Sequence, residues 1–397
     1  MANYYEDYYS EHINSANEKD FLDAIKKHED ETVRYYIPPK EFQFAAISAV
    51  DTAKDTVSLI RLDGKEGGVV ECLEYSVESK TIDAWEDTYK NGTQLAIIKR
   101  SVNDGKVFPV SDNVKLSVGN RSTLSYKGSL TFTTRQVGSP IAMAKIMEDM
   151  IVFRNKQKLQ LAVIAGKVQA ILTARYIPSD QRIIFKDAGK ELAKLPKYSF
   201  GGADISHTSS YGYYNVANQG SEVTAQVRVS DSSTGDGAIS IAPHIKMRTE
   251  NGKYRSVVFD ESWKQRHARY EQSDFKAGLA AAVQACENNA RKLADTMIIV
   301  INNPQIFHDN AITELNKLAK KFATHQIGKT EKENIGNAMN ALLQFQNITV
   351  WDYIDLLWDI VPNGSTNADS KELREKTVSK ILTLDFAKLD LPKAKTA

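Results

Sequence analysis

Cysteine is nearly missing from this chain. Only Cys72 and Cys286 occur among 397 residues. They lie far apart in sequence, and Cys286 sits inside an apolar helical pattern. This argues against a disulfide framework and for a reducing compartment. Long apolar runs are missing too. The longest candidate, 297–301, falls far short of the ~20 residues a membrane helix needs. The segment 1–20 is acidic and rich in tyrosine, without the basic start and apolar centre of a signal peptide. No membrane partner is expected, and the expected location is the cytoplasm. An excess of positive charge is also lacking: 51 Lys and Arg stand against 50 Asp and Glu, a net charge of +1. Any nucleic-acid binding must then come from a local patch rather than from bulk electrostatics.

The common chemical signatures are absent as well. No Cys pair stands at zinc spacing, no His-Glu-x-x-His occurs, and the 7 histidines are scattered. Gly-x-Gly-x-x-Gly and Gly-x-Ser-x-Gly are missing. Gly328-Lys329-Thr330 resembles the end of a phosphate-binding loop, but Ala323 occupies the place of that loop's first Gly and a helical pattern precedes it. It reads as a helix end followed by an N-cap. No metal site and no cofactor are expected, and no catalytic residue is assigned.

What the chain does have is the make-up of a globular protein, with 42% apolar and 25% charged residues. Its length suits two or three domains. Residues 1–30 read as a tail and a short helix over 18–27. From 32 to about 134 the pattern is mostly strands, punctuated by turn signals at Asp63-Gly64, Asn91-Gly92 and Asn103-Asp104-Gly105. Ile141, Ala144, Met147 and Ile151 stand at helix spacing. Residues 159–176 read as two strands around Gly166-Lys167, with a short helix after Pro178-Ser179-Asp180. The C-terminal third reads as helical. One long helix carries Phe275, Leu279, Val283, Cys286, Leu293 and Met297, and further helices follow over 312–322, 330–343 and 349–361. Thr330 and Glu333 form a capping box. The expected fold class is α+β: an antiparallel sheet with a polar hairpin followed by a helical C-terminal third, plus a smaller β-rich N-terminal domain. The expected divisions are 1–30, 31–135, 136–365 and 366–397.

The clearest β signal is 221–248. Val223, Ala225, Val227 and Val229 alternate with Thr224, Gln226, Arg228 and Ser230. After a Ser/Thr/Asp/Gly loop, Ile239, Ile241, Ile245 and Met247 alternate with Ser240, Ala242, Lys246 and Arg248. Period-2 alternation predicts one buried and one exposed face. If the strands pair, Arg228, His244, Lys246 and Arg248 share the polar face. Arg266, His267 and Arg269 follow downstream, with Tyr254 and Trp263 nearby. Cations interleaved with aromatic rings suit single-stranded nucleic acid: cations meet phosphates and rings stack on bases. The same pattern also suits a solvated sheet face whose Lys and Arg keep an edge soluble. The loop 230–237 reads either as an anion nest or as a long hairpin connection. The tyrosines of 207–214 read either as a stacking platform or as buried strand residues.

Three segments together resemble a known family. Gly166-Lys-Val168-Gln-Ala170-Ile-Leu172-Thr-Ala-Arg175-Tyr176, with Asp180 after it, resembles its "G-x-V-x-A-x-L-S-x-R-Y…D" segment. Val227-Arg-Val-Ser230-Asp-Ser-Ser-Thr-Gly235-Asp-Gly237-Ala238-Ile-Ser240-Ile-Ala-Pro243 is similar to its Ser/Gly hairpin. Thr349-Val-Trp351-Asp352 resembles its late helix start. The family is the phage- and plasmid-encoded domain of unknown function 932, and the resemblance covers roughly 120–360. Where the family has Val-Cys-Thr-Asn-Gly after the second strand, this chain has Met247-Arg-Thr-Glu-Asn251-Gly252, without the Cys. The resemblance implies a mobile-element setting, most often phage, in a bacterial host cytoplasm, and no established reaction.

The first expectation is therefore a phage nucleic-acid-binding protein, a single-stranded DNA binder or annealing accessory that works as a homo-oligomer. The second is a non-catalytic structural protein or one that engages a host or phage protein. A third, an enzyme acting on nucleic acid, would draw on Asp231, Asp236, Glu261 and His267.

Overall fold

The structure is a computed structural model. It describes residues 11–13, 17–62, 70–99, 106–116, 139–154, 157–173, 176–205, 209–219, 223–232, 234, 238–248, 254–259, 263–265 and 271–302. The expected helices after 304 lie outside the described residues. The chain is a mixed α and β protein built on two large sheets, with five helices among the described residues. No helix among them is long and apolar enough to cross a membrane.

The first sheet contains seven strands: β1 (Glu11–Ile13), β10 (Ser199–Ile205), β11 (Ser210–Gln219), β12 (Val223–Asp231), β13 (Ile239–Arg248), β14 (Tyr254–Val258) and β15 (Trp263–Gln265). They follow one another in that order, except that β15 pairs with β13, and every pairing is antiparallel. Its apolar face is lined by Val223, Ala225, Val227, Val229, Ile239, Ile241 and Ile245. Three helices cover that face: α1 (Glu18–Asp30), α4 (Gln181–Leu192) and α5 (Gln272–Asn302). Helix α5 presents Phe275, Leu279, Ala282 and Cys286, one stripe at helical spacing. Helix α4 begins where Asp180 accepts the Ile183 amide at 3.0 Å, an N-cap.

The second sheet runs β2 (Thr32–Ile37), β8 (Leu159–Ile164), β9 (Lys167–Thr173), β7 (Lys106–Leu116), β6 (Leu95–Lys99), β3 (Phe42–Asp51), β4 (Thr56–Leu62), β5 (Val70–Ser76). Only β7 and β9 pair in parallel. Strands β3 and β6 are buried on both faces. Phe44 and Ile97 turn toward helix α3 (Pro140–Arg154), while Ala45, Ile47, Ala96 and Ile98 surround Trp85 of helix α2 (Ile82–Lys90). Burial on both sides explains their nearly continuous apolar runs. The β8–β9 hairpin closes through Ala165 (φ 46) and Gly166 (φ 78), the two left-handed residues of a tight primed turn.

Two expectations change. Strands from both sides of the expected boundary at 135/136 pair in this one sheet: β8 joins β2 and β9 joins β7. The β-rich segment is therefore not closed within 31–135. Helix α2 also interrupts what reads as mostly strands, because Ile82, Trp85 and Thr88 make a short buried face under the sheet.

Candidate nucleic-acid interface

Strands β12 and β13 do pair antiparallel, and the register is unbroken. Thr224 faces Lys246, Gln226 faces His244, Arg228 faces Ala242, and Ser230 faces Ser240. Directly opposed residues share a face, so Arg228, His244 and Lys246 lie on one side, opposite the helices. Strand β11 adds Tyr211, Tyr213 and Asn215 to that side, and β10 adds Asp204.

That side is closed at its centre. Arg228 is 1% exposed and His244 2%. The expected open face of four cations is corrected here. The alternation is real, but its polar members at this end are buried and bonded to one another. The Tyr213 hydroxyl donates to Asp204 Oδ2 at 2.7 Å. The Tyr213 and His244 rings meet at 4.8 Å between centroids. Gln226 Nε2 donates to Asn215 Oδ1 at 2.6 Å, which leaves Gln226 Oε1 to accept at 2.7 Å from His244 Nδ1. Asn215 Nδ2 in turn donates to Ser199 Oγ. The Arg228 guanidinium stands 5.4 Å from the centre of the Tyr211 ring, a cation–π contact inside the protein. Ser230 and Ser240 share a hydrogen bond of 2.7 Å. Buried polar groups are tolerated only when bonded in this way.

Toward the β12–β13 turn the polar set continues. Asp231 accepts from Ser179 Oγ at 2.5 Å, and Tyr176 donates its hydroxyl to the Ser232 carbonyl at 3.0 Å. Ser210 donates to Gln181 Oε1 at 3.2 Å. These bonds tie the hairpin end to the segment before α4. Asp231 is thus held in a structural bond, and Asp236, Glu261 and His267 lie outside the described residues. Among the described residues no three His, Cys, Asp or Glu side chains cluster as metal ligands.

At the opposite end the face opens. Thr224, Lys246 and Ser256 are half-buried. The β13–β14 register sets Lys246 opposite Ser256 and Arg248 opposite Tyr254. Trp263 is not a free stacking ring. Its ring meets Phe275 edge-on at 5.6 Å, and a Cβ on Gly278 of α5 would lie 2.6 Å from Trp263 Cγ. Trp263 is a packing residue that needs a glycine beneath it. Arg266, His267 and Arg269 lie outside the described residues. Tyr211, Tyr213 and Tyr214 are buried strand residues rather than an open platform.

No family model matches this chain, and no curated protein matches it.

Two residues behind the face have shifted acidities. Burial pushes the Cys286 thiol up to about 12, and its Sγ donates to the Gln226 carbonyl at 2.8 Å. Burial also holds the Tyr214 hydroxyl well above its usual value, with the Glu18 carboxylate adding to the effect. A thiol kept protonated and buried is a poor nucleophile, while Cys72 is exposed. With an aromatic disulfide reagent, one thiol per chain should react in the native protein and a second only after unfolding. Rapid native reaction of both thiols would contradict this packing. Asp204, the acceptor at the heart of the network, was not singled out from the sequence. Its partner Tyr213 comes 9 residues later, and only strand register brings the two together.

Proposed function

We propose that this protein binds single-stranded nucleic acid at the open end of the β12–β13–β14 ribbon. The observation that carries the reading is the register there. Lys246 and Arg248 occupy successive cross-strand positions where burial gives way to exposure, and Tyr254 is the position opposite Arg248. Two cations beside a tyrosine suit a phosphate backbone with a base stacked on the ring. In this reading Arg228 and His244 support the sheet and do not touch the ligand. Arg266, His267 and Arg269 continue the basic run in sequence and would lengthen the contact. The resemblance to a phage- and plasmid-encoded family supports a setting in replication or recombination within a bacterial cytoplasm. The homo-oligomer and the α+β arrangement with a helical C-terminal third belong to the same proposal.

Lys246→Ala and Arg248→Ala test it. Each variant should weaken binding of a labelled oligonucleotide across sequences. Each should also reduce the slope of log affinity against log salt by about one. If both variants bind as the parent does, the ribbon end is not the contact surface. The near-neutral net charge of +1 favours a second reading, in which the partner is a host or phage protein. A stoichiometric protein retained from nuclease-treated lysate, with no oligonucleotide binding, would select it.

A further inference from the structure

A cleft of about 590 Å³ opens in the second sheet, between β2, α2, the start of β7 and the β8–β9 turn. That volume is in the range of small-molecule sites. Its apolar wall is an aromatic corner. Tyr35 and Phe108 meet at 5.2 Å between centroids, beside Val33, which is 46% exposed.

Charge around this cleft is segregated. One end surrounds the β8–β9 turn. Glu31 is there, its carbonyl taking the Ala165 amide at 3.4 Å. Asp87 is there too, bonded to the buried Lys167 at 2.5 Å. Asp83, on the first turn of the same helix as Asp87, is exposed and has no ion-pair partner among the described residues. The other end holds ammonium groups. Lys99 and Lys106 are opposed across β6 and β7, and both stand over the Tyr35 ring, at 5.2 and 5.6 Å from its centre. The Tyr35 ring thus sits in an environment that already draws cations.

We propose that this cleft binds a small organic monocation, an amine or guanidinium on an apolar stem. The positive group belongs at the carboxylate end, near Asp83 and Glu31. The stem lies against Tyr35, Phe108 and Val33. A second positive charge at the far end of the stem meets Lys99 and Lys106 and is repelled. The same chemistry is offered by a free amine and by a Lys or Arg side chain of a peptide.

Calorimetric titration of the full chain distinguishes these cases. Phenethylamine should bind saturably, hydrocinnamate (the matching acid) should not, and butanediamine should bind more weakly than phenethylamine. A capped Gly-Arg-Gly peptide that binds more tightly than phenethylamine assigns the site to a protein side chain; the reverse order assigns it to a free amine. Asp83→Asn, at an exposed position, should weaken phenethylamine about threefold, and Tyr35→Leu about fivefold. Should Tyr35→Leu not fold, the Asp83→Asn titration still decides. The proposal is overturned if neither amine nor peptide binds, if amine and acid bind equally, or if Asp83→Asn leaves phenethylamine affinity unchanged.

Discussion

Phe21→Ala is expected to lower stability by about 3–5 kcal/mol, as deletion of a fully buried aromatic ring does. Phe21 is 0% exposed. Its ring meets Phe185 edge-on at 4.8 Å and stacks with Phe200 at 5.8 Å. Gly212 of β11 is part of the fit, since a Cβ there would stand 3.2 Å from Phe21 Cε1. The ring therefore fastens α1 to α4 and to the first sheet, and no nearby side chain can swing in to fill the space. The prediction is read from the midpoint of denaturant unfolding at unchanged slope. It also bears on the expected tail. If 1–30 were a loosely attached segment, Phe21→Ala would leave the midpoint where it is.

Arg228→Ala is expected to cost about 3 kcal/mol, the effect of removing one charged member from a buried, mutually bonded set. The loss has two parts. The guanidinium leaves the Tyr211 ring, and its long stem no longer fills the space between Tyr213 and Ala242, its neighbours in register. Oligonucleotide affinity per folded molecule should stay the same. An Arg228→Ala protein with parental stability and lost binding would return this residue to the interface and reopen the buried face.

Much of the local structure is legible in the sequence. The alternation through Val223–Val229 and Ile239–Met247 marks two strands that do pair, because period-2 patterning records which residues meet the helices. The stripe of Phe275, Leu279 and Cys286 marks α5 for the same reason, and Asp180 announces α4 through its capping chemistry. What alternation cannot record is whether the polar side is open. Arg228 and His244 alternate with valines and isoleucines just as exposed residues would, yet tyrosines, amides and an aspartate from neighbouring strands surround them. Non-local pairing is equally silent. Nothing near Thr32–Ile37 says that its partner is Leu159–Ile164, and the parallel step from β7 to β9 has no connecting turn to reveal it. The cleft beside Tyr35 depends on the same long-range pairings, so its residues were invisible as a group.

The most direct test of the central claim is the fluorescence anisotropy of a labelled single-stranded oligonucleotide titrated with the parent and with Arg248→Ala, at low and at raised salt. The parent should bind, bind more weakly as salt rises, and lose affinity with a shallower salt slope in Arg248→Ala. Absence of salt-sensitive binding by the parent at micromolar concentration would contradict the claim.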